Sequence, residues 1–224
     1  LLTIDSHPNI EVRMFNPVGM RSLRVLGMVA EFGRINKRMH NKSFIADGEV
    51  AIVGGRNIGD EYFGAHEKAN YADLDVAVIG PVVREVSDEF DIYWNHQASI
   101  PIAALSRQNI TPEEFAAKRA TLTAFNTTAE RSAYAESVRD SEFARQLKNH
   151  AVSYCWGRAT IVSDHPDKVL TSAAKTETHL APKLRQVVDA TKRELFLVSP
   201  YFVPGKQGVD LLASVRQRGL LIIS

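Results

Sequence analysis

Apolar and polar residues alternate with period two at Ile10, Glu11, Val12, Arg13 and Met14, and Asn16-Pro17 closes the run. Alternation sends successive side chains to opposite faces of an extended chain, so the pattern predicts a strand over 9–17. The period then changes. Leu23, Leu26, Val29 and Ala30 fall near helical spacing between Met20 and Gly33, with Gly33 placed as a C-cap. Two strands are predicted over 39–47 and 49–55, joined by Asp47-Gly48, a pair that favours a two-residue hairpin turn. Another strand is predicted over 71–80. Pro81 then opens an amphipathic helix running to His96, with Val82, Val86, Phe90 and Trp94 on the face assigned to the core.

The stretch from Ser99 to His150 is polar, helical and strand-free in pattern, and Thr111-Pro112-Glu113-Glu114 is a capping-box start with proline in the first turn. Alternation of strand and helix resumes with predicted strands over 158–164, 195–204 and 220–224 and predicted helices over 180–194 and 209–219. Such alternation argues for an α/β class. Three segments follow: 1–98, a first α/β half; 99–150, a helical connector; and 151–224, the start of a second half built like the first.

A length of 224 residues supports a sizeable core, and apolar and charged shares of 45% and 24% are those of an ordinary globular chain. The formal charge of +1 argues against a wholesale nucleic-acid binder, so any anion site must be local. The single Cys155 cannot form an intramolecular disulfide. No apolar run approaches the length of a membrane-crossing helix. Because the chain opens on Leu1 and ends on an uncapped apolar strand, it is read as a piece of a longer protein.

The candidate chemistry sits in the predicted hairpin. His40-x-Lys42-x4-Asp47 places His40 and Lys42 two residues apart, on one face if both lie in the strand. A neutral imidazole is a competent nucleophile at neutral pH, and an adjacent ammonium holds a phosphate oxygen as a point charge. The returning strand ends at Gly54-Gly55, where missing side chains let backbone N–H groups approach an anion, and Asn57 offers an amide donor. Asp47, at the turn, is read as structural. Arg34, Lys37, Arg38 and Lys42 form a local basic field without an acid from Arg34 to Lys42. Arg56 is read either as a phosphate contact or as the partner of Asp60 or Glu61. Asp73-Leu74-Asp75 has a D-x-D spacing used for divalent metals, but its alternating flanks read as two carboxylates on one exposed strand face, and no metal is assigned. Phe115, Leu122 and Phe125 share one side of the helix beginning at Thr111, a side read as packing on the main domain rather than meeting a membrane surface.

The extended pattern His40-x-Lys42-x4-Asp47-x6-Gly54-Gly55-x-Asn57 resembles the HKD signature of the phospholipase D superfamily. The stretches "GGRNIGDEYFG", "DLDVAVIGPVV" and "VSPYFVP" are similar to its bacterial cardiolipin synthase branch, of the C type. The resemblance implies a phospholipase D-like α/β/α sandwich with a mixed sheet, its first half nearly complete and its second half truncated. It implies His40 as nucleophile or acid–base partner, Lys42, Asn57, Gly54 and Gly55 at the phosphate, Asp47 as the motif's structural acid, and Arg56 and Tyr201 lining the site. A packed loop tyrosine is the alternative for Tyr201. The superfamily often has serine where Gly55 stands. No cofactor or metal is implied. Two motifs meet at one site in the family, and His40 is read as opening the single His-x-Lys-x4-Asp of this sequence, so the second would come from chain beyond Ser224 or from a dimer mate.

The implied activity is phosphatidyl transfer through a phosphohistidine, making cardiolipin from phosphatidylglycerol and a second phospholipid. The implied partners are phospholipids and a membrane surface, met peripherally on the cytoplasmic side of a bacterial membrane, with no nucleic acid. The alternatives are a phosphodiesterase or nuclease of the same superfamily, and a non-catalytic module that binds anions or lipid headgroups.

Overall fold

The structure is a computed structural model that describes residues 1–17, 39–63, 71, 73–105, 111–171, 179–199 and 204–223. The helix expected over 20–33, the basic residues Arg34, Lys37 and Arg38, and Tyr201 lie outside the described residues. The class is mixed α/β. The described strands fall into three small sheets, and none of these mixes pairing senses: β1 (Arg13–Phe15) pairs antiparallel with β5 (Ser99–Pro101). β2 (Ser43–Ala46), β3 (Val50–Gly54) and β4 (Asp75–Ile79) form an antiparallel meander, and β6 (Glu194–Phe196) pairs in parallel with β7 (Leu221–Ile223).

The meander is the frame of the candidate site. Its period-two pattern sends Ile45, Ala51, Val53 and Val78 to one face, where they pack with Val83 and Val86 of the helix Val82–Trp94. This helix is α2, following the short α1 (Leu2–Asp5). Each fully buried valine contributes roughly 1.5–3 kcal/mol. The buried stripe of α2 is Val83, Val86 and Tyr93, rotated by about one position from the expected Val82, Val86, Phe90 and Trp94. Phe90 is exposed and stacks on Trp94, whose other contact is the Arg13 guanidinium at 4.6 Å from the ring centroid. Arg13 also donates to the Trp94 carbonyl at 2.9 Å, so the end of α2 is tied to β1 by charge and by π contact.

At the edge of the buried stripe, Tyr93 joins Glu85 and Glu89 of α2 and His96 just past its end in a polar row close to helical spacing. This row grips residues 160–167. Glu85 accepts from the Thr160 hydroxyl at 2.9 Å and the Ile161 N–H at 3.2 Å, Glu89 accepts from the Ser163 hydroxyl, and Tyr93 donates to the Asp164 carbonyl at 2.8 Å. His96 closes the row through Asp167 at 3.0 Å. Its Nδ1 accepts the Ala98 N–H, which leaves Nε2 as the donor. The strand expected over 158–164 is therefore corrected. That segment runs along a helix, so side chains and not a neighbouring strand supply its partners.

The stretch 99–150, expected to be strand-free, instead opens on β5, whose backbone pairs with β1, and the strand–helix alternation after residue 180 holds with shifted bounds. After the short helix α3 (Ile102–Leu105) come α4 (Pro112–Ala129), α5 (Ala133–Arg139) and α6 (Glu142–Lys148). Helix α4 starts in the expected capping box, Thr111 accepting the Glu114 N–H at 3.2 Å and Glu114 accepting the Thr111 N–H at 3.1 Å. The expectation that its apolar side packs on the main domain is not met: α4 buries no residue, and Leu122 and Phe125 are exposed. Finally α7 (Leu180–Ala190), β6, α8 (Gly205–Gln217) and β7 enclose a core of Val188, Leu195, Val215 and Leu220. Arg218 donates to the Asp189 and Val188 carbonyls at 2.9 and 3.0 Å, satisfying orphan acceptors at the end of α7.

Candidate active site

The hairpin turn confirms the Asp47-Gly48 signal with one change. Both residues have positive φ, +54° and +70°, and the Glu49 N–H closes onto the Ala46 carbonyl at 3.0 Å. Because Ala46 pairs with Val50, Glu49 is an extra residue, and the loop has three positions rather than two. Asp47 thus occupies a strained turn position, which aspartate tolerates better than most side chains.

His40 and Lys42 lie just ahead of β2, not within it. The expectation of two side chains projecting from one strand face is corrected accordingly. Local hydrogen bonding shapes this entry segment: the Lys42 ammonium donates to the His40 carbonyl at 2.8 Å, and the Lys42 carbonyl accepts the Gly54 N–H at 3.4 Å. The second contact brings the motif's lysine backbone against the glycine pair across the hairpin. The His40 imidazole is exposed at the surface.

Gly54 and Gly55 are required by their neighbours. Gly54 pairs with Asp75 across β3–β4, and a Cβ at Gly54 would collide with the Asp75 carboxylate, while one at Gly55 would collide with that of Asp73. The two acids of Asp73-Leu74-Asp75 are therefore half-buried against the glycines, which corrects their reading as groups on one exposed face. Arg56 answers them: its Nε lies 3.0 Å from an Asp75 carboxylate oxygen, and its Nη2 donates to the Asp73 carbonyl at 3.1 Å. Among the described side chains its carboxylate partner is Asp75 rather than Glu61, and the side chain of Asp60 lies outside the description. Among the described residues, no three His, Cys, Asp or Glu side chains are grouped to hold a metal ion.

Asn57 donates from its amide to the Tyr62 hydroxyl at 2.9 Å, and the Tyr62 ring sits 5.4 Å from that of Tyr71. This places Asn57 beside an aromatic pair that the sequence pattern did not mark. The structure thus joins Lys42 to Gly54, the glycine pair to Asp73 and Asp75, and Arg56 to the Asp75 carboxylate and the Asp73 carbonyl, with Asn57 on the adjoining loop. Tyr201 lies outside the described residues. A shallow cavity of about 300 Å³ opens beside this frame between β2 and α2, lined by Ser43, Ile45, Ser87, Phe90 and Asp91.

One sequence feature needs correcting. A bare His-x-Lys-x4-Asp spacing recurs at His66, Lys68 and Asp73, but Gly80-Pro81 and Val83 stand where the glycine pair and asparagine would be. Its Asp73 leads into β4 instead of closing a hairpin, and His66 and Lys68 lie outside the described residues.

Comparison with known proteins gives this hairpin a context. The chain is 40% identical over 99% of its length to cardiolipin synthase C of Escherichia coli, of which it covers 46%. It is 30% identical over 98% of its length to an uncharacterized protein of Helicobacter pylori, covering 43% of that protein. A cardiolipin synthase of Clostridium perfringens is 26% identical over 80% of the chain and 29% of that enzyme. No family model and no solved structure matches. This similarity fits a cardiolipin synthase-like protein of the phospholipase D superfamily. It spans about half the length of the curated relatives it matches first.

Proposed function

We propose that the protein acts as a phospholipase D-type phosphatidyltransferase that forms cardiolipin from phosphatidylglycerol and a second phospholipid. The observation that carries this reading is the chain-long similarity to cardiolipin synthase C. The geometry supports it through the ordered hairpin that carries His40, Lys42 and Asp47 and leads into Gly54-Gly55 and Asn57.

In this reading one motif histidine attacks the phosphorus of the donor phosphodiester. A P–N bond forms and the P–O bond to the headgroup alcohol breaks, the diacylglycerol ester staying on phosphorus and the leaving oxygen taking a proton from the second histidine. The hydroxyl of the acceptor lipid then gives its proton to that second histidine and attacks the phosphohistidine, releasing cardiolipin. Lys42 and Asn57 hold the non-bridging oxygens of the phosphorane, and the glycine backbone adds N–H donors. Asp47 fixes the turn, and Arg56 balances Asp73 and Asp75 so that the anion does not meet uncompensated carboxylates. Tyr201 lines the same site.

The reading assigns residues 1–98 to a first phospholipase D-like half, 99–150 to a connector and 151–224 to the start of a second half in an α/β/α sandwich. The second motif comes from further chain or from a dimer mate. Among the described residues no helix is long and apolar enough to cross a membrane, which accords with peripheral access to lipid.

The test is cardiolipin formation by the full-length protein on phosphatidylglycerol vesicles, read by mass spectrometry without added metal. His40→Asn is expected to reduce turnover by at least about 10³-fold, the scale of losing a nucleophile or its acid–base partner. His66→Asn, in the bare repeat, is expected to retain it. Hydrolysis to phosphatidic acid without cardiolipin would select the phosphodiesterase alternative. Headgroup binding without any turnover would select the binding module.

A further inference from the structure

Between Glu142 and Asp164 the chain contains no acidic residue, while Arg145, Lys148 and Arg158 are basic. The same stretch exposes large apolar groups. On α6, Phe143 and Leu147 are one helical turn apart and 54% and 50% exposed, and Tyr154 and Trp156 in the following extended segment are 50% and 81% exposed. The two rings lean on each other with centroids 6.1 Å apart, so they form a preformed aromatic knob. The Ala151 N–H returns to the Gln146 carbonyl at 2.8 Å beside His150 at φ +52°, which caps α6 just where the aromatic segment begins.

A solvated indole among cations has few stable uses. Trp and Tyr favour the headgroup level of a bilayer, where the ring is buried and its polar edge stays wet. Basic residues beside such rings gain from an anionic lipid surface, and cations near that surface add to binding in proportion to their number. The Glu142–Arg145 ion pair, at 2.5 Å, sits at the boundary of the patch and leaves Lys148 and Arg158 as its principal cations.

We infer that Phe143, Leu147, Tyr154 and Trp156, flanked by Lys148 and Arg158, form the surface by which this protein docks on an anionic phospholipid membrane. The inference deepens the proposed function by naming where the lipid-bearing surface is met, and it rests on that reading for the presence of a membrane. Docking places the aromatic pair in the interface and the cations at the headgroups. It involves none of the hairpin residues assigned to phosphate chemistry.

The test is co-flotation of the full-length protein with vesicles of equal parts phosphatidylglycerol and phosphatidylcholine, against pure phosphatidylcholine. Binding is expected to the anionic vesicles and to fall with added salt. Tyr154→Ser with Trp156→Ser is expected to weaken it about tenfold, and Lys148→Gln with Arg158→Gln to remove most of its salt dependence. Both side chains of the first variant are exposed, so far-UV circular dichroism should match the parent, and Trp156→Phe should retain binding. In these 224 residues Trp94 and Trp156 are the two indoles. With Trp94→Phe in this chain, emission from Trp156 should shift to the blue on anionic vesicles.

Unchanged binding in the serine variant, or no response of Trp156, overturns the inference. So does self-association that the serine variant abolishes without vesicle binding, since the knob would then be a protein contact. Turnover of a dissolved short-chain phosphatidylglycerol separates the two proposals. A docking variant that keeps this turnover but no longer floats supports the surface, and a parent that floats without any turnover refutes only the catalytic reading.

Discussion

At the residue scale, Tyr93 and Asp164 show how burial sets chemistry away from the hairpin. Burial pushes the Tyr93 phenol up to about 12, helped by the Asp164 and Glu89 charges, from an ordinary value of 10.0. The folded state therefore holds this proton more tightly than the unfolded chain does. The resulting stability is fully present below pH 10 and is lost as pH rises through about 12. Tyr93→Phe should remove that alkaline loss and, by deleting the bond to the Asp164 carbonyl, cost about 1 kcal/mol at neutral pH, read by urea unfolding across the pH range.

Asp164 behaves in the opposite sense. Burial alone would raise its carboxyl, but the Lys168 ammonium, the Leu180 N–H and nearby positive charge hold it below the ordinary value. Its contribution is present above 3.8 and is lost as acid takes the pH through the lower folded value. The glycine pair gives a further residue-scale prediction. Gly54→Ala should destabilise the meander by about 1–3 kcal/mol through the clash with Asp75. Adding Asp75→Ala should recover only part of this, because the Asp75 Cα would still lie 3.0 Å from the new Cβ. Full additivity in denaturant unfolding would refute the clash.

At the scale of elements, α4 and α2 contrast. Helix α4 buries nothing, so its persistence depends on caps and local pairs rather than on packing. Thr111→Ala should cost about 1 kcal/mol of helix stability, visible as faster amide exchange over 112–129, with the meander's exchange unchanged. Helix α2 is held from two sides, by valines against the meander and by its polar row against residues 160–167. The start of α2 at Pro81, the Asp47-Gly48 turn and the Thr111 capping box were legible because each depends on chemistry within a few residues. The strand expected at 158–164 was not found because its β-branched residues describe an extended chain without saying what lies beside it. Period alone also placed the core stripe of α2 one position off, since Phe90 and Tyr93 are both plausible core residues until the packing surface exists.

At the scale of the whole molecule, α2 links segments far apart in sequence. Glu85 and Glu89 reach Thr160, Ile161 and Ser163, so they tie the first assigned segment to the third. Replacing both glutamates by alanine should release this junction. The expected outcome is about 1–3 kcal/mol of lost stability, with faster exchange at the Ile161 amide and little change at Ala51. Equal exchange at Ile161 in parent and variant would show that the junction is held by other contacts.

The candidate site was legible as composition: histidine, lysine, aspartate, two glycines and asparagine at fixed offsets, on a chain of no overall charge bias. Those offsets survive in the structure because a tight turn sets the spacing of its two arms locally. What decided the environment was tertiary. The β3–β4 register set Asp75 against Gly54, the close approach required glycine there, and the resulting acids drew Arg56 into an ion pair that sequence distance could not indicate. His40 and Lys42 were fixed in identity by the chain alone, while the hairpin placed them ahead of β2, where Lys42 bends onto the His40 carbonyl instead of projecting beside the imidazole from a strand. Local spacing determined which groups are present and where the turn falls. Pairing across strands, which brings together residues that have no short-range relation, decided what each of those groups faces.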